Sequence, residues 1–321
     1  FMFDNEENIP SIVFFGTPEF AKFCLKYLND NSFNIKGVVT APDRRAGRGK
    51  NVNSSPVKIF SEKLGLKIFQ PLNLKDPLFI SELIDLNADI FVVVAFRMLP
   101  KKVWSIPPLG TINLHASLLP NYRGAAPINW VLINGESSTG VTTFLINENI
   151  DTGDLLMQDK MNIEDDFCAG DIHDKLLDIG APIIVKTLIG LKKGNLIPKK
   201  QERLKKISEA PKLTPENTKI NWSLTLIQIN NLIRGLSPYP GAWTEFSNNN
   251  FTTRIKIFKA KIIIKTHDYK INSLIIEDSN IFIAHKEGLL SCIEIQLPNK
   301  KRMTTKALLN GYIFPENTNV L

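Results

Sequence analysis

A chain of 321 residues is long for a single hydrophobic core and suits two domains. Hydrophobic residues make up 43% of it and charged residues 22%, as in an ordinary soluble globular protein. No apolar run approaches the roughly 20 residues that a membrane-spanning helix needs, and the acidic opening FMFDNEENIP lacks the apolar stretch of a signal peptide. We therefore expect a cytoplasmic protein with no membrane partner.

The three cysteines, Cys24, Cys168 and Cys292, are scattered along the chain and form no CxxC pair. We expect free thiols in a reducing cytosol, because isolated cysteines in odd number suggest neither zinc nor a redox pair. The four histidines are also too dispersed to suggest a metal site. The sequence therefore predicts no metal.

Charge is distributed unevenly along the chain. Residues 1–194 carry 20 lysines and arginines against 22 acidic residues, a net charge of −2, whereas residues 195–321 carry 19 against 10, a net charge of +9. This asymmetry favours catalysis in the front half and contact with a polyanion in the back half. A generally basic proteome is the alternative explanation.

The front half alternates short apolar runs with helical stretches. The predicted strands are residues 11–15, 35–40, 89–95, 110–115 and 140–146, with helical stretches such as 55–64 between them. Strands that alternate with helices predict an α/β fold with a mostly parallel, Rossmann-like sheet covered on both faces.

The back half has a different pattern. Residues 167–193 predict one long helix, and residues 195–213, which are rich in lysine and proline and lack periodicity, predict a linker. After a short helix at 224–234, closely spaced strands are predicted at 254–260, 262–265, 274–276, 280–284 and 293–297. They favour a small barrel. We therefore predict a catalytic domain over 1–194, a linker over 195–213 and a basic barrel domain over 214–321.

Three polar residues are predicted to meet at the edge of the sheet. Asn113 and His115 are two residues apart in a strand, so their side chains project from the same face. Ligands bind at the carboxyl ends of parallel strands, and Asp151 follows the next strand in an Asp-Thr-Gly turn that can return it to that edge. An amide, an imidazole and a carboxylate suit acyl transfer: Asn113 can donate a hydrogen bond to the tetrahedral oxyanion, and His115 can donate a second or shuttle a proton. Asp151 can hold the histidine ring and help to collect a proton from the attacking amine.

The Asn-x-His pair alone is a weak signal, but its context is specific. Residues 113–127 read NLHASLLPNYRGAAP, and TGVT at 139–142 and DTG at 151–153 follow. This string resembles the signature of the folate-dependent formyltransferases. The resemblance implies that Asn113, His115 and Asp151 are catalytic and that 10-formyltetrahydrofolate is the cosubstrate. It also implies that four residues lie against the folate: Ser117, Leu118, Leu119 and Pro120.

Formyl acceptors in this family include glycinamide ribonucleotide, amino sugars on nucleotides, and methionyl-tRNA. The stretch at 41–50 resembles the basic loop by which family members that act on methionyl-tRNA enter the acceptor-stem end. Four cations in seven residues suit phosphate contact: Arg44, Arg45, Arg48 and Lys50. A solvated loop is the alternative. A phosphate-binding P-loop is excluded, because Arg44 stands where its first glycine belongs.

The back half strengthens the choice of methionyl-tRNA. Its segments KINW at 219–222, IRG at 233–235, PYPGAW at 238–243 and KKRM at 300–303 resemble the C-terminal barrel domain of the same family. A basic barrel can follow a tRNA backbone in a salt-sensitive way. The resemblance then implies formylation of initiator methionyl-tRNA for translation initiation, by a protein that we expect to be a monomer.

Two positions depart from the family pattern. Arg97 stands where the family usually has glycine, beside the expected folate pocket, and Arg45 replaces a common proline in the basic loop. Neither change removes a candidate catalytic residue.

Two other hypotheses remain open. A sugar-nucleotide N-formyltransferase would share the signature, but it would need neither the basic loop nor the basic back half. A non-catalytic RNA-binding protein with a decayed formyltransferase fold would not need all of Asn113, His115 and Asp151. A nicotinamide dehydrogenase is least favoured, because GTPEF at 16–20 is not GxGxxG.

Overall fold

The structure is a computed structural model, and it describes residues 9–46, 51–248 and 250–321. The chain forms two compact units. The first contains residues 1–124, 138–161 and 173–209, and the second contains residues 125–137, 162–172 and 210–321. The three-part division into 1–194, 195–213 and 214–321 stays a prediction.

The elements up to residue 210 are, in chain order, β1 (Ile12–Gly16), α1 (Glu19–Asp30), β2 (Ile35–Val39), β3 (Arg44–Ala46), β4 (Asn51–Asn53), α2 (Pro56–Lys63), β5 (Ile68–Phe69), α3 (Pro77–Asp85), β6 (Ile90–Val94), α4 (Lys101–Trp104), β7 (Thr111–His115), β8 (Arg123–Gly124), α5 (Pro127–Ile133), β9 (Ser138–Leu145), β10 (Leu155–Asn162), α6 (Ala169–Lys192) and β11 (Glu209–Ala210). The remainder comprises α7 (Leu226–Gly235), β12 (Ala242–Asn248), β13 (Phe251–Ile264), β14 (Leu274–Glu277), β15 (Asn280–His285), β16 (Gly288–Gln296), β17 (Met303–Thr304), α8 (Thr305–Leu309) and β18 (Asn319–Val320).

The first unit is built on a seven-stranded sheet with the strand order β10-β9-β7-β6-β1-β2-β5. β1 pairs in parallel with β2 and β6, and β6 pairs in parallel with β7, whereas β7 and β9 are antiparallel. The apolar sequences IVFFG and IFVVV form the buried centre, as expected for strands covered on both faces. Because the chain order reverses between β1 and β6, the edge at their carboxyl ends is the expected ligand site of such a sheet.

The second unit contains an antiparallel barrel with the strand order β14-β15-β16-β13-β12-β18, and β17 pairs with β16. A bridge between Ser273 and Asn319 joins the two ends of this order. The helix α7 begins with a capping box between Thr225 and Gln228 and buries its apolar side in the barrel core. The predicted fold class, a Rossmann-like mostly parallel sheet followed by a small barrel, is confirmed.

One detail of the barrel differs from the prediction. The strands predicted at 254–260 and 262–265 are a single strand, β13, of 14 residues. Its register against β16 shifts between Ile257 and Ala260, as at a β-bulge. A bulge interrupts the alternation of inward and outward side chains without ending the strand. The sequence pattern therefore predicted two strands where the structure has one.

None of the described helices is both long enough and apolar enough to cross a membrane. The three cysteines are free thiols, and Cys24 and Cys292 are buried. Burial raises the pKa of each of these two thiols to about 12. They therefore behave as small apolar core residues.

Candidate active site

The site begins at the carboxyl end of β7. His115 is the last residue of this strand and is 7% exposed, and Asn113 lies two positions earlier in the same strand and is half-buried. Their side chains project from the same face of the sheet. The neighbouring strand β6 ends at Val94, which pairs with Leu114, so both strands end at the same edge.

The ring of His115 is fixed by one hydrogen bond. Its Nε2 lies 2.7 Å from the carbonyl oxygen of Tyr122. Because a carbonyl oxygen only accepts, Nε2 carries the proton of the neutral ring, and Nδ1 keeps its lone pair. Nδ1 lies 3.7 Å from Oδ2 of Asp151. The free nitrogen is therefore turned toward the carboxylate.

The Asp-Thr-Gly turn holds Asp151 in place. The backbone N–H of Gly124 donates to Oδ2 of Asp151 over 2.9 Å, and Asp151 has a left-handed backbone with φ +52°. Gly153 cannot be replaced without movement of the backbone, since a Cβ there would lie 1.6 Å from the carbonyl oxygen of Leu145. We call His115, Tyr122, Gly124 and Asp151 the polar rim.

Three residues at this edge have a strained backbone. Ala95 directly follows β6, Tyr122 accepts the bond from His115, and Asp151 contributes the carboxylate. All three have positive φ, between 47° and 61°. Such conformations cost roughly 1–3 kcal/mol each in residues other than glycine and are typical of functional sites.

The four residues predicted to lie against the folate begin one residue after β7: Ser117, Leu118, Leu119 and Pro120. Thr142 of β9 donates to the carbonyl oxygen of Ser117 over 2.6 Å and accepts from the N–H of Leu119 over 3.1 Å. Gln158 of β10 donates to the carbonyl oxygen of Leu119 over 2.8 Å. The segment is thus held in a fixed path by β9 and β10.

The predicted tRNA-binding residues fall in a short hairpin. β3 and β4 pair antiparallel, and we call the segment 44–53 the basic hairpin. Arg44 is exposed at its start, and Arg45 lies in β3. Arg48 and Lys50 lie outside the described residues.

Both ends of the basic hairpin are anchored. Before it, Asp43 forms an ion pair with Lys58 and accepts a hydrogen bond from Gln70 over 2.9 Å. The hydrogen bond from the Lys58 ammonium, followed by that from Gln70, lowers the pKa of Asp43. After it, the hydroxyls of Thr40 and Ser55 lie 2.6 Å apart, and Ser55 caps α2. The anchors lie outside the segment that carries the cations.

Arg97, which departs from the family pattern, is bound to backbone. Its guanidinium donates to the carbonyl oxygens of Pro71 and Leu72. Partial burial, and then the positive charge of Arg44, lower the pKa of Arg97. The side chain therefore points to the loop after β5, on the side of the basic hairpin.

The sequence did not predict a role for Gln201. Its amide donates to the carbonyl oxygens of Asp151 and Gly153, each over 2.9 Å, and it accepts from Arg123 over 2.6 Å. Nearby lies a cavity of about 370 Å³, which Arg123, Thr152, Lys200 and Gln201 help to line. Nothing in the local sequence marks Gln201, because its partners are 48 to 78 residues away.

Among the described residues, no group of three or more His, Cys, Asp or Glu side chains could hold a metal ion. The chemistry available at this edge of the sheet is that of the His115 imidazole, the Asp151 carboxylate and the Asn113 amide. These groups can accept and return a proton and can donate hydrogen bonds to an oxyanion.

Comparison with known proteins identifies the family. A family model described as formyl transferase matches residues 10–188, and one described as formyl transferase, C-terminal domain, matches residues 212–313. The chain belongs to the formyl transferase family. A family member from Flavobacterium johnsoniae named methionyl-tRNA formyltransferase is 48% identical over 309 residues, which cover 96% of this chain and 98% of that protein.

Other formyl transferases agree with this assignment. The methionyl-tRNA formyltransferase of Bacteroides thetaiotaomicron is 41% identical over 306 residues, covering 94% of this chain and 95% of the relative. Among solved structures, an N-formyltransferase of Helicobacter canadensis in complex with folinic acid and dTDP-3-aminofucose has a TM-score of 0.65 at 21% identity, covering 88% of this chain and 98% of that one. HypX of Aquifex aeolicus with tetrahydrofolic acid has a TM-score of 0.64 at 15% identity, covering 94% of this chain and 47% of that one. At these identities the solved structures show a shared fold.

Proposed function

We propose that this formyl transferase moves the formyl group of 10-formyltetrahydrofolate to the free amino group of initiator methionyl-tRNA, producing N-formylmethionyl-tRNA for translation initiation. The observation that carries the proposal is the approach of His115 Nδ1 to Asp151 at the carboxyl edge of the sheet. The identity of 48% to a methionyl-tRNA formyltransferase, over nearly the full length of both chains, supports this choice of acceptor.

The chemistry follows from the hydrogen bond that leaves Nδ1 of His115 free. The amine attacks the formyl carbon, and His115 accepts a proton from the amine at Nδ1, where Asp151 stabilises the resulting imidazolium. Asn113 donates a hydrogen bond to the negative oxygen of the tetrahedral intermediate. When the bond from carbon to the folate nitrogen breaks, His115 returns the proton to that nitrogen. One C–N bond forms, one breaks, and the proton moves from amine to folate.

The remaining residues are assigned to binding. We assign the folate to the segment of Ser117, Leu118, Leu119 and Pro120, and the acceptor end of the tRNA to Arg44, Arg45, Arg48 and Lys50. We further assign catalysis to residues 1–194 and contact with the tRNA backbone to the basic barrel of 214–321. In this proposal the protein acts as a monomer in the cytoplasm.

One assay tests the function. The protein is incubated with methionyl-tRNA and 10-formyltetrahydrofolate, and the hydrolysed product is analysed for formylmethionine. A parallel reaction replaces the tRNA with a nucleotide-linked amino sugar. Formylmethionine in the first reaction alone supports the proposal. Formylated sugar in the second reaction alone would favour the sugar-nucleotide enzyme, and no product in either would favour a non-catalytic RNA-binding protein.

A further inference from the structure

Gln201 closes a hydrogen-bonded ring around the polar rim. Its Nε2 donates to the carbonyl oxygen of Asp151, and the carboxylate of Asp151 accepts from the N–H of Gly124. Arg123, the chain neighbour of Gly124, donates from Nη2 back to Oε1 of Gln201. The ring therefore joins the turn that carries Asp151 to the segment that holds His115 through Tyr122.

The orientation of the Gln201 amide is fully specified. Two carbonyl oxygens face its NH₂ group, those of Asp151 and Gly153, and one cationic donor faces its oxygen. An amide has two N–H donors on nitrogen and an acceptor on oxygen, so one amide satisfies all three partners. The flipped amide would set its oxygen against two other oxygens. Neither a carboxylate nor an alkyl group of the same shape can replace these functions.

The same stretch of chain reaches the rim a second time. Ser208 accepts at its carbonyl oxygen from the N–H of Tyr122, and its own N–H donates to Oδ1 of Asn121 over 3.1 Å. Residues 201–208 therefore contact both halves of the polar rim, the turn of Asp151 and the partner of His115. This stretch was predicted from the sequence to be part of a linker.

We infer that Gln201 is a positioning residue for formyl transfer, which holds the turn of Asp151 so that the carboxylate stays against Nδ1 of His115. The inference rests on the proposed function. Asp151 has a left-handed backbone, which is disfavoured in a residue other than glycine. The two hydrogen bonds from Gln201 hold this turn at the carbonyl groups of Asp151 and Gly153. A displacement of about 1 Å at a reacting group can cost about 10²-fold in rate.

Two variants test the inference. Gln201→Glu keeps the size of the side chain and the acceptor for Arg123 but removes both donors, and Gln201→Met keeps the size without charge. We expect each to lower kcat about 10- to 100-fold and to leave the KM values for tRNA and folate within about twofold, because Gln201 acts on the reacting geometry. The matched control is Asn31→Asp. Asn31 also donates from its amide to a backbone carbonyl, that of Tyr27, but it lies at the end of α1.

A double-mutant cycle separates positioning from general stabilisation. Single-turnover formyl transfer is measured for the wild type, Gln201→Met, Asp151→Asn and the double variant. If Gln201 acts through Asp151, Gln201→Met costs 10- to 100-fold in the wild type and less than about threefold beside Asp151→Asn, since coupled residues are non-additive. Thermal unfolding of each variant identifies any that fails to fold. If one of Gln201→Glu and Gln201→Met fails to fold, the other tests the inference.

The outcomes are distinct. If the wild type forms no formylmethionine, the proposed function has failed. If the wild type is active but Gln201→Glu and Gln201→Met are as active as Asn31→Asp, the inference alone is overturned. Equal losses from Gln201→Met in both backgrounds of the cycle would also overturn it, because Gln201 would then act independently of Asp151.

Discussion

The polar rim and the basic hairpin both follow strands of the same sheet, but they hold their polar groups in opposite ways. In the polar rim, each of the imidazole and the carboxylate has a backbone partner, the carbonyl of Tyr122 for His115 and the N–H of Gly124 for Asp151. In the basic hairpin, the hydrogen bonds that anchor the segment belong to Asp43 and Ser55, which flank the cations.

This difference indicates two kinds of function. Buried groups with fixed partners suit a reaction whose transition state demands one geometry. Cations on a segment whose described anchors, Asp43 and Ser55, flank it suit a flexible polyanion, whose phosphates are bound by charge more than by shape. A change in the polar rim should therefore affect the rate by large, coupled factors, and a change in the basic hairpin should affect affinity by small, salt-dependent ones.

The largest effect is expected for His115→Ala. Removal of the imidazole eliminates the group that accepts and returns the proton, so kcat should fall by about 10³-fold or more. The affinity for tRNA should stay within about twofold. Steady-state kinetics and filter binding measure the two quantities. A parallel loss of tRNA binding would contradict the separation between the two regions.

Gly153→Ala should come next, through the backbone. Because the new Cβ would lie 1.6 Å from the carbonyl oxygen of Leu145, the turn must move, and we expect a loss of about 3 kcal/mol or more in the free energy of unfolding. Urea unfolding measures it. The control is Gly311→Ala, since a Cβ at Gly311 meets nothing within 4 Å. Equal stability of the two variants would show that the Asp-Thr-Gly turn is not tightly packed.

Arg44→Ala tests the basic hairpin. We expect the KM for methionyl-tRNA to rise about tenfold and the slope of log affinity against log salt to fall by about 1, as for one lost phosphate contact. The KM for the folate should not change. Lys26→Ala removes a cation from α1 and serves as the control. An equal effect of Arg44→Ala on both substrates would argue against contact between the hairpin and RNA.

The smallest effect is expected for Asp43→Asn, which weakens one anchor of the hairpin. The ion pair with Lys58 lowers the pKa of Asp43 below its ordinary value of 3.8. The stabilisation that the charged Asp43 gives to the hairpin is therefore complete above that pH and is lost as the pH falls further. We expect the affinity for tRNA to be about two- to threefold weaker in the variant. The ratio of wild-type to variant affinity should stay the same from pH 8 to pH 5. A wild-type advantage that disappears between pH 7 and pH 5 would contradict this assignment.

Much of the fold could be predicted because local pattern and tertiary structure agree. The apolar runs at 11–15 and 89–95 coincide with β1 and β6 to within a residue at each end, since strands buried on both faces need continuous apolar sequence. The alternation in β7 likewise predicted that Asn113 and His115 share a face. The structure brings Asp151 to that same edge.

The rest depended on contacts between distant residues. Residues 195–213 have no periodicity, so the sequence predicted a linker there. In the structure, Gln201 within this stretch contacts residues 48 and 50 positions earlier. The tautomer of His115 follows from the carbonyl group of Tyr122, a backbone atom that no sequence motif specifies. The β3–β4 hairpin was also missed, because its short, polar strands carry no apolar alternation.

The most direct test of the account is single-turnover formyl transfer by the wild type and by Asp151→Asn, with methionyl-tRNA and 10-formyltetrahydrofolate both saturating. Asparagine keeps the size of the side chain and removes the charge that faces Nδ1 of His115. We predict rapid appearance of formylmethionine with the wild type and a rate about 10³-fold lower with the variant, at unchanged tRNA affinity. Equal rates for the two proteins would show that the carboxylate beside His115 takes no part in the reaction.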